Sequence, residues 1–174
     1  METIIHWFET VDPVMAAFVA TTFTWFVTAS GASLVFFFKS LNRAVLDIAL
    51  GFTGGVMVAA SIWSLIMPAL EMSSGEGFQK VGPTVIGFLL GALFIFALDK
   101  LIPHIHLNYE KVSEAEGPKT KMNKTLLLVL AITLHNIPEG LAVGVLFGGA
   151  ASGMEGATIG GAVALALAMA IQNF

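Results

Sequence analysis

Four long apolar runs, at about 14–38, 45–70, 83–102 and 125–147, constrain this chain more than any other feature of its sequence, and a fifth occupies about 158–174. A helix rises about 1.5 Å per residue, so roughly twenty apolar residues match the ~30 Å hydrocarbon core of a bilayer. Lipid offers no partner to a backbone N–H or C=O, which leaves helices and closed barrels as the only spanning structures. These runs lack the dyad alternation of barrel strands. They predict an all-α fold, a polytopic transmembrane helix bundle forming one domain over 1–174. The composition agrees, because 56% of the 174 residues are hydrophobic and 11% charged, values that soluble domains rarely reach together.

Orientation follows from lysine and arginine, which short cytoplasmic connections collect. Lys39 and Arg43 lie between the first two runs, and Lys100, Lys111, Lys119, Lys121 and Lys124 lie at or within the connection between the third and fourth. Only Lys80 falls on the other side. The N-terminus is therefore expected outside, with 103–124, "PHIHLNYEKVSEAEGPKTKMNK", as a cytoplasmic loop of mixed charge without apolar period. The N-terminal "METIIHWFETVDP" lacks the basic start and small-residue cleavage site of a secretory signal, so the first run is expected to stay in the mature protein. A net charge of −4, with scattered basic residues and no interleaved aromatics, argues against a nucleic-acid partner. With no cysteine in the chain, any metal site has to use nitrogen, oxygen or thioether ligands.

Small-xxx-small spacings recur at Gly51/Gly55, Gly87/Gly91, Gly140/Gly144 and Gly156/Gly160, a pattern that lets helix backbones approach closely in lipid. The fourth run holds the chemistry. Its midpoint is residue 136, so His135, Asn136 and Glu139 fall near the centre of the bilayer. One charge there costs between about 2.5 and more than 10 kcal/mol, and such groups face a bundle interior or a water-filled path. His135 and Glu139 are four apart, which stacks imidazole and carboxylate on one helix face, where together they can hold a cation. Asn136 lies about 100° round the same turn and can offer an amide oxygen. Pro138 has no N–H, which frees the carbonyl of Leu134 at a depth where it needs a partner. The other reading of the same residues is a buried, hydrogen-bonded polar cluster that fixes helix packing with Glu139 protonated. Intramembrane zinc proteolysis has little support, since the chain lacks His-Glu-x-x-His.

At this point the residues resemble a known family. "HNIPEG" (135–140) is similar to the fourth-helix signature of the ZIP (Zrt-, Irt-like protein) divalent-metal transporters, and "IQNF" (171–174) to the start of their fifth-helix signature. "GGVMVAASIWSLIMPALE" (54–71) is similar to the second helix of a prokaryotic branch, and "LDKLIPHIH" (98–106) to the end of its third helix and the start of its loop. The four matches stand in family order over about 45–174, while the first run matches only in hydrophobicity and placement.

The resemblance implies eight helices with both termini outside, an inverted repeat, and a metal site between helices four and five. This chain would be the first half, about five helices, the fifth incomplete. That agrees with the fifth run, which reaches Phe174 after about fifteen apolar residues; an ionised α-carboxylate near mid-bilayer would cost several kcal/mol, so a longer natural chain is expected. By resemblance, His135 and Glu139 are primary ligands, and Asn136 and Asn173 help form a second position. Asn173 stands where several similar proteins have aspartate, and a neutral amide weakens that position. Gln172 is a further oxygen donor or a structural hydrogen-bonding group.

Met57 aligns with a methionine on the transport route, where a thioether suits softer ions, although a core-filling role fits it as well. Ser64, seven residues on and two turns along the same face, is either path-lining or packing. Glu71, at the outer end of the second run, attracts cations at the mouth or is a surface carboxylate. His104 and His106 open the loop as transient metal ligands or as solvated histidines, and Asp99 beside Lys100 reads as an interfacial charge closing the third run.

The expectation is a divalent metal transporter, not an enzyme, moving zinc, or else iron, manganese or cadmium, towards the cytoplasm. Its expected setting is the plasma membrane, the inner membrane of a bacterium, with the lipid bilayer, divalent ions and a second copy in a homodimer as partners. The rival is a non-transporting membrane metal sensor or helix-packing module.

Overall fold

The computed structural model describes residues 2–37, 42–105 and 116–174, and the described residues are helical without a strand. Helices α1 (Glu2–Thr10), α2 (Pro13–Ser33), α3 (Arg43–Ala60), α4 (Met67–Met72), α5 (Phe78–Leu101), α6 (Lys124–Ala151) and α7 (Ile159–Asn173) follow in order. Four helical stretches are long and apolar enough to cross a membrane: Pro13–Ser33, Arg43–Met72, Phe78–Leu101 and Lys124–Ala151, of 21, 30, 24 and 28 residues. At about 1.5 Å per residue the shortest spans ~32 Å, enough for the hydrocarbon core. Their large apolar side chains face outward; Phe18, Trp25, Trp63, Phe88 and Leu93 are all exposed, as a surface solvated by lipid tails requires. The protein is an all-α polytopic integral membrane protein.

Local chemistry starts and satisfies these helices. Asp12 caps α2, its Oδ1 accepting from the N–H groups of Val14 and Met15 at 3.0 and 3.2 Å ahead of Pro13, which has no donor to lose. Asn42 caps α3 through Ala44, and Thr158 caps α7 through Gly161. The hydroxyls of Thr21, Thr24, Thr28, Ser30 and Ser33 each donate to a carbonyl three or four residues back, so α2 carries five hydroxyls through an apolar setting without an unpaired donor among them.

The third spanning helix begins at Phe78, ahead of the expected 83. Gly77, at φ +58°, turns the chain into it, and Pro83 sits inside the helix instead of opening it. Sequence periodicity also passed over two elements. The acidic N-terminus forms α1, whose Phe8 packs on Phe147 with ring centroids 5.3 Å apart. Ser61–Ile66, between α3 and α4, is π-helical, and the N–H of Met67 reaches back five residues to the carbonyl of Ile62. Pro68 accounts for the wide turn: its ring would strike the carbonyl of Ser64 in regular α geometry and offers it no hydrogen.

The chain divides into two compact units, Met1–Ser74 with Leu141–Phe174, and Gly75–Gly140. The core of the first is built on α7, where Ala162, Val163, Leu165, Ala166 and Met169 are buried together with Ala16 and Ala20 of α2, Ala60 of α3, and Val143, Leu146 and Phe147 of α6. Alanine at 162, 166 and 170 keeps one face of α7 small, which allows close approach where lipid supplies no hydrophobic drive. Gly156, at φ +82°, leads into α7; a Cβ there would stand 3.0 Å from the Cβ of Glu71 and the carbonyl oxygen of Pro68, so no other residue fits without strain. The glycines at 51, 55, 87, 91, 140 and 144 face open space among the described residues, so the close contacts that their spacing predicts are not made there. In the second unit, Ile105 and Leu127 are fully buried, and the Ile105 N–H points to the Leu127 carbonyl at 3.4 Å.

Candidate metal-binding site

Helix α6 runs unbroken from Lys124 to Ala151 with Pro138 inside it, which puts its middle between Ile137 and Pro138. Thirteen residues of strongly apolar helix precede the polar segment on the N-terminal side of Asn136 save for threonine, lysine and histidine, so the chain carries His135, Asn136 and Glu139 to that depth on an element with no alternative conformation in lipid. The Nε2 of His135 and Oε1 of Glu139 stand 3.8 Å apart, the imidazole 59% exposed and the carboxylate 14%. That is too long for a hydrogen bond. Two ligands of one tetrahedral zinc, each ~2.0–2.1 Å from the ion, stand ~3.3 Å apart, so a small rotamer adjustment lets this pair share a cation. Asn136 is exposed beside them, and Leu134 holds a carbonyl whose regular donor is absent at Pro138.

Gln172 and Asn173 end α7 and belong to the other unit. Gln172 is buried; its Nε2 donates to Met169 Sδ at 3.1 Å, and its backbone carbonyl accepts from Thr53 Oγ1 at 3.4 Å. Asn173 is half-buried. Met57 is half-buried in α3 and Ser64 half-buried in the π-helical turn, so the seven-residue interval between them passes from α to π geometry. Glu71 is exposed in the last turn of α4.

The second histidine group differs from its expectation. His104 is buried, 2% exposed, with Nδ1 2.9 Å from the carbonyl oxygen of Ile102 and Nε2 3.1 Å from Asp99 Oδ1. Glu116 joins them: one ligand atom from each of Asp99, His104 and Glu116 lies within 4.8 Å of the others. His106 lies outside the described residues. Sequence reading passed over Glu116 and took Asp99 for an interfacial charge, although Asp99 does also approach Lys100 at 3.6 Å. No spacing rule connects 99, 104 and 116; only a chain that turns back at Gly117, φ +81°, brings them together.

A polytopic helical membrane protein with an imidazole and a carboxylate paired in mid-helix belongs to the class of proteins that handle cations within a bilayer. Comparison with known proteins gives the family. The chain is 37% identical over 211 aligned positions to a zinc transporter named ZIP11 from Bos taurus, covering 79% of this chain and 62% of that protein. It is 39% identical over 137 positions to the zinc transporter GufA of Myxococcus xanthus, covering 76% and 52%. It is 35% identical over 123 positions to the zinc transporter ZIPB of Bordetella bronchiseptica, covering 69% and 39%. No family model matches the chain. The chain belongs to the ZIP family, and it spans about three fifths, or less, of the length of these relatives.

Proposed function

We propose that the protein moves a divalent metal cation across the membrane towards the cytoplasm, zinc foremost, with iron, manganese and cadmium as other cargoes. The relatives' names, all zinc transporters, support the cargo. The observation that carries the reading is the His135–Glu139 pair, 3.8 Å apart on one face in the middle of an apolar helix of 28 residues. In this reading a hydrated cation exchanges water for His135 and Glu139, with Asn136, Gln172 and Asn173 adding amide oxygens. Met57 and Ser64 line the route, and Glu71 gathers cations at its outer end. The N-terminus faces outward from a bacterial inner membrane, 103–124 faces the cytoplasm, and the assembly is a homodimer. Both primary ligands have to be deprotonated to bind, so acid opposes transport.

The test is uptake of radioactive zinc into proteoliposomes at limiting metal, comparing the full-length protein with His135→Ala and Glu139→Ala forms that elute and melt as the unsubstituted protein does. Uptake is expected to fall to background in both. Unchanged uptake would remove the site assignment, and zinc binding without lumenal filling would identify a sensor.

A further inference from the structure

We infer that Asp99, His104 and Glu116 form a second divalent-cation site, which fastens the connection between α5 and α6. A histidine opening a polar connection is ordinarily solvated, yet this one is 2% exposed, so both ring nitrogens require partners. The Ile102 carbonyl 2.9 Å from Nδ1 can only accept, which assigns the proton of a neutral ring to Nδ1 and turns the lone pair of Nε2 outward. That lone pair meets Asp99 Oδ1 at 3.1 Å, and the Glu116 carboxylate stands within 4.8 Å of both. Lone pairs on nitrogen and on two carboxylates repel one another unless a positive species sits among them. A divalent ion balances both carboxylates at once.

The dimensions suit it. Three atoms no more than 4.8 Å apart leave a central point at most about 2.8 Å from each, and contraction of ~0.6–0.8 Å reaches zinc bond lengths of ~2.0–2.2 Å. The Nδ1 bond to Ile102 is the outer support that metal-ligating histidines ordinarily have, fixing tautomer and ring direction. One imidazole and two carboxylates, with a fourth position open to water, suit zinc or a similar borderline cation.

The backbone also holds the third ligand in place. His104 and Glu116 exchange two main-chain hydrogen bonds, N–H to carbonyl at 3.1 and 2.8 Å. A Cβ on Gly117 would press into Ile102, so the glycine next to the ligand is what lets the returning chain lie this close. Ile105, beside His104, is buried and directed to Leu127 in the first turn of α6, eight residues or ~12 Å of helix before His135. A cation held here ties the end of α5 to the returning chain and closes the segment between His104 and Glu116, as metal clips do.

Equilibrium dialysis with zinc alone tests the site, using full-length protein in which His135→Ala and Glu139→Ala remove the mid-helix pair. Binding of one zinc per chain is expected to remain, and adding Glu116→Gln or, separately, His104→Ala should weaken it by about 10–100-fold or more. Glu116→Gln keeps the side-chain shape and leaves the main-chain bridge intact, so its loss of zinc reads ligation and not folding. No zinc on the doubly substituted protein would overturn the inference and leave an imidazolium–carboxylate ion pair. Equal zinc affinity in the His104→Ala and Glu116→Gln forms would overturn it as well. The transport reading fails on a different measurement, lumenal uptake, so the two outcomes are separable.

Discussion

The two units use their residues in opposite ways. In the unit formed by Met1–Ser74 and Leu141–Phe174, α7 is surrounded, and alanines at 162, 166 and 170 set how closely its neighbours approach. In the unit Gly75–Gly140, α5 presents Phe88, Leu93 and Phe96 outward, and its distinctive groups are ionisable: the His135–Glu139 pair and the Asp99–His104–Glu116 cluster. One region is specified by volume and the other by charge. The lesson is that damage to each should register in a different measurement.

The largest effect expected is in the charged region. Glu139→Gln keeps the side-chain volume and removes the anion, so zinc uptake at limiting metal should fall by about 100-fold or more, since even outer-shell partners are worth 10–100-fold, while the melting temperature in detergent stays unchanged. A variant that melts early would move Glu139 into the structural class and break the contrast. In the packed region, Ala166→Leu adds bulk to a side chain that is 3% exposed, and overpacking of this kind costs about 1–3 kcal/mol, read as a lower melting temperature. Zinc affinity per folded molecule should not change.

Acidification sharpens the comparison further. Each ligand proton displaced on binding contributes at most about a tenfold loss of zinc affinity per pH unit on the acid side of its titration, so uptake should fall as pH is lowered. Flat zinc binding from neutral to acid pH would remove imidazole from the ligand set. The smallest effect is at the start of α7, where Thr158→Ala deletes the acceptor for the Gly161 N–H and should cost about 1 kcal/mol of stability without altering uptake.

Much of the fold could be read from contiguous residues. Apolar length located the four spanning stretches, because a bilayer filters sequences by a run of about twenty residues and little else. What escaped was local irregularity with a distant or steric cause. The π-helical turn at Ser61–Ile66 comes from Pro68, downstream of it, and α1 emerges from an acidic segment because Phe8 finds Phe147. The glycine pairs teach the converse: spacing showed which helix faces are narrow, but at 51/55, 87/91 and 140/144 no helix among the described residues fills them.

The two histidine clusters divide along the same line. His135 and Glu139 meet because a helix repeats every 3.6 residues, so their face-sharing was determined by the order of residues 135 to 139 and by the certainty of helix in an apolar run. Asp99, His104 and Glu116 follow no period. Their meeting depends on a main-chain bridge between His104 and Glu116 and on a glycine in a conformation closed to other residues, which are properties of a chain folded back on itself. The sequence alone determined the helices, their length and the pair on one face. Only the tertiary structure decided which separated charges share a space, because the cost of crowding like charges is felt between atoms near in space, whatever their distance along the chain.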